Sequence, residues 1–215
     1  MHAGSRDVKR GAAGGVLRAR HSYLASGPGH AHILGMRRGR TVLVLFGVVA
    51  VFNAVVFPTI ARRLTDVTRQ HMVAPLDLKL SYTPDEAYAT IGTLAPDARR
   101  FYVIVETTVD ILYPMVYALF FYLLTRWLLD RSPARVRWVD RATVIPFAAM
   151  IADWLENTGI VVLVDFYPTR LDPLAWLTSG VTTTKWVCLV LTGALLLYAA
   201  VRALLSRRGR ATVAP

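Results

Sequence analysis

Four runs of the chain stay apolar for the length of a bilayer crossing, and polar, arginine-rich segments separate them. The first is 41–60, TVLVLFGVVAVFNAVVFPTI; the others are 101–129, 143–164 and 174–205. A membrane-spanning helix needs about 20 mostly apolar residues. The pattern therefore predicts an all-α protein, a bundle of four transmembrane helices. Two tails flank it: 1–40, which lacks periodicity and reads as disordered, and 206–215. In the first loop, LDLKLSY alternates apolar and polar residues as a short extended segment does. Thr83, Pro84, Asp85 and Glu86 then form a helix start, with a capping hydroxyl, a proline in the first turn and acids at the positive end. Tyr88, Ile91 and Leu94 share one face. This short amphipathic helix is expected to lie on the outer membrane surface. Pro96 and Asp97 open the helix of the second span.

Charge sets the orientation. Arg37, Arg38 and Arg40 precede the first span, Arg131, Arg135, Arg137 and Arg141 join the second to the third, and Arg202, Arg207, Arg208 and Arg210 end the chain. The turn DFYPTRLDP carries one arginine against two aspartates. Basic residues stay on the cytoplasmic side, so both termini are expected there, in a multi-pass protein of the cell membrane. Trp127 and Trp138 suit an inner aromatic belt, Tyr167 and Trp176 an outer one. The net charge of +11 sits in tails and one turn, which argues against nucleic acid and for the lipid bilayer as partner. A hydrophobic content of 54% and a mean hydropathy of +0.42 agree. Cys188 is the only cysteine, so neither an intrachain disulfide nor a cysteine metal framework can form. Met36, beside Arg37, is an alternative start to Met1.

Polar residues inside the spans then become the informative ones, because charge at that depth is costly unless paired, hydrated or protonated. They are Asn53 in the first span, Glu106 and Asp110 in the second, Asp153, Glu156 and Asn157 in the third, and Lys185 in the fourth. At about 1.5 Å of rise per residue, Asp110 lies roughly 7 Å from the outer end, Glu156 and Asn53 roughly 10 Å, Asp153 and Lys185 roughly 15 Å. All fall in the outer half of the bilayer, with Glu106 near the boundary, where it is expected to stay hydrated. Glu106, Asp110, Tyr113 and Tyr117 share a helix face, as do Asp153, Glu156 and Asn157. Pro114 and Pro58 free the carbonyls of Asp110 and Ala54. Three acids, Asp110, Asp153 and Glu156, face one base. Lys185 is expected to pair with Asp153 or Asp110, which leaves acids that must be protonated, hydrated or bound to a cation.

The leading functional expectation is a site that binds or translocates a proton, a cation or a small polar ligand. It is lined by Asp110, Asp153, Glu156 and Lys185, with Asn53, Asn157, Glu106 and Tyr113 beside them. The same residues serve equally as interhelical glue, so the alternative is a non-catalytic accessory subunit of a membrane complex. A homodimer or another membrane protein is then the partner. A lipid-modifying enzyme using a carboxylate as acid or base comes third. No histidine lies in a span; His71 is in the loop, and His30 and His32 are in the tail. No phosphate-binding or dinucleotide loop appears, no cofactor is implied, and no spacing fixes a metal's ligand number.

The order Tyr82-Thr83-Pro84, Tyr102, Asp110, Tyr113-Pro114, Tyr117, Asp153, Glu156-Asn157 and Lys185-Trp186 resembles a group of uncharacterised small four-helix integral membrane proteins of bacteria. The resemblance covers about Thr41 to Leu205 and implies no activity. The chain also shares its helix count with the sterol-isomerase and sigma-2-like group, but the lack of an intramembrane histidine counts against isomerase chemistry.

Overall fold

The computed structural model describes residues 28–68, 75–132 and 136–211. Every regular element among them is helical. The chain divides into two units, Met1–Arg40 and Thr41–Pro215, and the site lies in the second. Helix α1 is Pro28–Val51, so it begins inside the stretch read as an unstructured tail; the remainder of that tail lies outside the described residues. A π-helical turn, Phe52–Val56, links α1 to α2, Phe57–Thr68. Pro58 explains the turn. It has no N–H to offer Ala54, and the Phe57 N–H reaches back five residues to the Phe52 carbonyl.

Helix α3 is Pro84–Thr93. Its start is a reciprocal cap: the Thr83 hydroxyl accepts the Glu86 N–H at 3.3 Å, and the Glu86 carboxylate accepts the Thr83 N–H at 2.7 Å. Helix α4, Pro96–Leu129, runs on through Pro114. Helix α5 is the short Arg137–Ala142, followed by α6, Ile145–Asp165, and α7, Asp172–Ala211. Four helical stretches are long and apolar enough to cross a membrane: Arg38–Thr65, Pro96–Leu129, Arg137–Asp165 and Asp172–Ser206.

Helices α4, α6 and α7 pack on one another. Small residues let α6 and α7 approach closely. At Gly159 a Cβ would stand 2.2 Å from the Thr178 Oγ1, so no larger residue fits without displacing α7. The α1–α2 helix is peripheral. Its most apolar stretch buries no residue in the protein. It meets α4 through ring contacts, Phe46 with Phe120 at 6.1 Å and Phe57 with Tyr113 at 4.8 Å.

Two hydrophobic clusters lie at different levels along these helices. One joins Leu76, Tyr88, Ile91, Tyr102, Ile160, Leu163 and Ala175; the other joins Tyr117, Ala118 and Ala149, with Cys188 and Leu189 beside them. On each of α4, α6 and α7, the charged residues fall between the positions that feed the two clusters. Tyr88, Ile91 and Leu94 are buried in the first of these cores, so the face of α3 expected to rest on lipid is turned into the protein.

The segment before α3 is a strap along α7. It begins with a 3-10 turn, Leu76–Leu78, where the alternating pattern suggested extended chain throughout. From there its backbone bonds to α7 side chains between Ser179 and Trp186. Lys185 donates to the Asp77 carbonyl (3.1 Å), the Trp186 indole to the Lys79 carbonyl (2.9 Å), and Thr183 to the Leu80 carbonyl (3.0 Å). The Tyr82 N–H donates to Ser179 (2.9 Å). Leu78 and Leu80 point away, 62% and 67% exposed.

Candidate functional site: a buried lysine–carboxylate layer

Lys185, 5% exposed, is the centre of the layer. Its ammonium contacts the Glu156 carboxylate, stands 3.6 Å from Asp153 Oδ1, and donates to the Asp77 carbonyl at 3.1 Å. The ammonium thus faces two carboxylates and one backbone carbonyl. Glu156 is fully buried, and its other oxygen accepts the Thr182 hydroxyl at 2.7 Å. Asp153 Oδ2 accepts the Tyr117 hydroxyl at 3.0 Å. Lysine thus pairs with Glu156 and Asp153, and not with Asp110 as one expected pairing had it. Glu156 sits three residues past Asp153, on the same face and nearer to Lys185.

Asp110 stands to one side. Its carboxylate makes none of these bonds, although its backbone carbonyl, released by Pro114, accepts the Asn157 amide at 2.8 Å. That carbonyl was expected to be left free; a side chain of the neighbouring helix takes it instead. The Trp154 indole likewise donates to the Ile111 carbonyl, at 3.0 Å. A proline-induced gap in α4 is therefore closed by α6.

Glu106 corrects the sequence expectation most sharply. It was placed at a hydrated boundary, yet it is 1% exposed and neither carboxylate oxygen has a hydrogen-bond partner. Asn53 is displaced in the opposite direction. It is exposed, and its amide donates to the Val49 carbonyl (2.8 Å) and the Tyr113 hydroxyl (2.9 Å). Neither Asn53 nor Tyr113 bonds directly to the charged cluster; Tyr113 touches it only through the ring of Tyr117, 5.4 Å away.

One member was missed from the sequence. Asp77 belongs to the strap, and its carboxylate accepts the Tyr102 hydroxyl at 3.2 Å while that hydroxyl accepts the Leu76 N–H at 3.2 Å. Burial holds the Asp77 carboxyl above the ordinary carboxylate range, against the opposing pull of Lys185 and Tyr102. A polar residue in an LDLKLSY loop carries no sign of this. The only signal was its position among apolar residues on both sides.

Over the layer, α3 is pinned to the turn between α6 and α7. Arg170 bonds Asp85 at 2.6 Å and Asp172 at 2.9 Å, and lies 4.9 Å from the centre of the Tyr88 ring. Those carboxylates hold the Arg170 guanidinium above its ordinary value. Tyr88 in turn accepts the Leu171 N–H and stacks on Tyr167.

The layer therefore brings together Asp77, Asp153, Glu156, Thr182 and Lys185 by direct contact, with Asp110 and Asn157 joined through a backbone bond. Among the described residues, no three histidine, cysteine or acidic side chains form a set that could hold a metal ion. Set against protein-family models, curated proteins and solved structures, the chain matches none.

Proposed function

We propose that the chain is a multi-pass integral membrane protein whose four helices form a bundle, with both termini cytoplasmic and α3 closing its outer end. In this proposal the layer around Lys185 carries an exchangeable proton. One observation supports it above the others: two acids, Glu106 and Glu156, are buried and three more, Asp77, Asp110 and Asp153, are partly buried, against one buried lysine. Glu106 is sealed in without a donor. One ammonium neutralises one carboxylate. The remaining charge, in surroundings this dry, favours taking up protons over leaving bare carboxylates. The Tyr117–Asp153–Lys185–Glu156–Thr182 chain of contacts supplies neighbours that can accept or return such a proton.

The test is a pH titration of carboxyl infrared bands in lipid nanodiscs, with Asp110→Asn and Glu106→Gln used to assign them. A protonated carboxyl band that persists into the neutral range is expected. Loss of every such band below about pH 5, near the reference carboxylate values, would end the proposal. Proton flux in proteoliposomes, measured for the parent and for Asp110→Asn, separates translocation from static protonation. A second role, as an accessory subunit of a membrane complex, draws support from the α1–α2 helix, whose Leu43, Val44, Val51 and Val55 are more than half exposed. Copurification of a partner that is lost when these residues are made bulkier tests that role.

A further inference from the structure

A cleft remote from the lysine layer has no part in the reading above. It opens where α4 ends, α5 begins and α7 nears its last turns, and residues of all three helices line it. Along α7, Tyr198 stands about 20 Å of helix rise beyond Lys185. Leu129 closes one membrane-length stretch, Arg137 opens the next, and Ser206 ends the last. The cleft therefore sits at the level where the spans leave the lipid.

Two kinds of group meet in this cleft. The Arg202 guanidinium donates to the Ser132 hydroxyl at 3.3 Å through Nε and to the Tyr198 hydroxyl at 3.2 Å through Nη1, and all three residues line the space. Each hydroxyl accepts from the arginine and keeps its own hydrogen to donate. A positive charge with two oriented O–H donors is the complement of a phosphate. Asp130 and Asp140 line the same cleft. Arg126 holds Asp140 Oδ1 at 3.1 Å, and a carboxylate has acceptor positions for more than one donor. Arg126 and Arg202 balance Asp130 and Asp140, so a bare anion gains little there, whereas a dipolar molecule gains at both of its ends. Size narrows the choice. The enclosed part of the cleft is about 10 Å³, room for one water-sized group. A primary ammonium has that size and a trimethylammonium does not. Val136 and Val139 add apolar lining, and Trp138, 63% exposed, lies 6.1 Å from the Tyr198 ring, as befits an indole at a lipid–water boundary.

We propose that this cleft binds the headgroup of a zwitterionic phospholipid with a primary amine, a phosphatidylethanolamine. Its ammonium enters the enclosed space lined by Asp130 and Asp140. Its phosphate takes the Ser132 and Tyr198 hydroxyls under the charge of Arg202, and its acyl chains run past Trp138 into the bilayer. The inference rests on the membrane-spanning part of the reading above and is independent of the proton-carrying layer.

The test uses the full chain in detergent, stripped of lipid and titrated with short-chain phosphatidylethanolamine, phosphatidylcholine or phosphatidylglycerol while the thermal midpoint is followed. The ethanolamine lipid should raise the midpoint saturably, by about 2–4 °C. The choline lipid has no N–H to give and the glycerol lipid no positive group, so each should need about tenfold more for the same shift, as loss of a charged hydrogen bond implies. Asp130→Asn should cut the preference for ethanolamine over glycerol at least about threefold, and Ser132→Ala should weaken half-saturation by the ethanolamine lipid about 3–10-fold. Tyr198→Phe serves as the second readout if either variant does not fold. Equal half-saturation by the three lipids, tighter binding of the glycerol lipid by the parent, or a preference untouched by Asp130→Asn would each overturn the site. A response to soluble phosphoethanolamine as strong as that to the lipid would also overturn it, since a free phosphoamine would then be the occupant. Lipid selectivity without a persistent carboxyl band leaves the headgroup site standing and removes the proton-carrying layer; the opposite result does the reverse. A chain that stays dispersed in buffer without detergent would remove the membrane reading that both share.

Discussion

Asn53 and Glu156 look alike as polar interruptions of an apolar helix, yet the fold uses them in opposite ways. Asn53 sits on the peripheral α1–α2 helix, is exposed, and returns one hydrogen bond to its own backbone and one to Tyr113. Glu156 is fully buried where α6 and α7 meet, held by Lys185 and Thr182. The difference lies in the neighbours. A helix that touches mainly one other can satisfy a polar group through its own backbone and that single neighbour. A helix enclosed by two others and a strap can draw it into a network. Polarity in a span marks a candidate, and enclosure decides whether its energy is coupled to anything else.

The contrast is most severely tested at Lys185. Lys185→Met leaves Glu156 and Asp153 buried without a counter-charge, and a loss of about 3–5 kcal/mol is expected in reversible denaturation from bicelles. Adding Glu156→Gln should recover more than half of it. If the double variant is no better than the single one, the two are not a coupled pair. Gly159→Ala comes next. Its Cβ would collide with Thr178 and force α6 and α7 apart, for about 1–3 kcal/mol. A smaller effect, about 1–2 kcal/mol, is expected of Asn157→Leu, which strips the Asp110 carbonyl of its donor. Asn53→Leu closes the series with about 0.6 kcal/mol or less, typical of an interhelical hydrogen bond in a bilayer. A larger loss there would erase the distinction between periphery and core.

Asp77 adds a pH-dependent comparison. Because burial raises its folded-state value, the folded protein binds more protons than the unfolded chain above the reference value of about 3.9. Its contribution to stability therefore falls as pH rises from there through the folded value. Asp77→Asn should flatten that part of the profile. Glu86 has the opposite sign. The bonds from Thr83 lower it, so its contribution is present above the unfolded value and disappears as pH falls through the folded one.

Hydropathy makes the four long helices legible, and the start of α3 can be read at Thr83 because capping chemistry is local. The presence of Asp110, Asp153, Glu156 and Lys185 in apolar surroundings is equally plain. What cannot be read is which of them meet. Helix depth places Glu106 at a boundary, yet it is 1% exposed, because depth along one helix says nothing about what packs beside it. Depth also puts Asn53 level with Glu156, although the peripheral helix that carries it leaves it exposed. Asp77 escapes notice because a loop residue is ordinarily solvated, and its burial depends on α7 side chains more than 100 positions later in the chain.

That separation has a consequence for biogenesis. Every bond holding the strap to α7 joins residues 97–108 positions apart. The first loop therefore cannot settle as it emerges from the ribosome. Until the last helix arrives, its carbonyls must stay with water or with a chaperone, and a chain truncated before α7 would carry an unfinished first half. The final helix thus acts as the step that commits the whole molecule, and quality control that inspects exposed loops would in effect be asking whether synthesis reached the end.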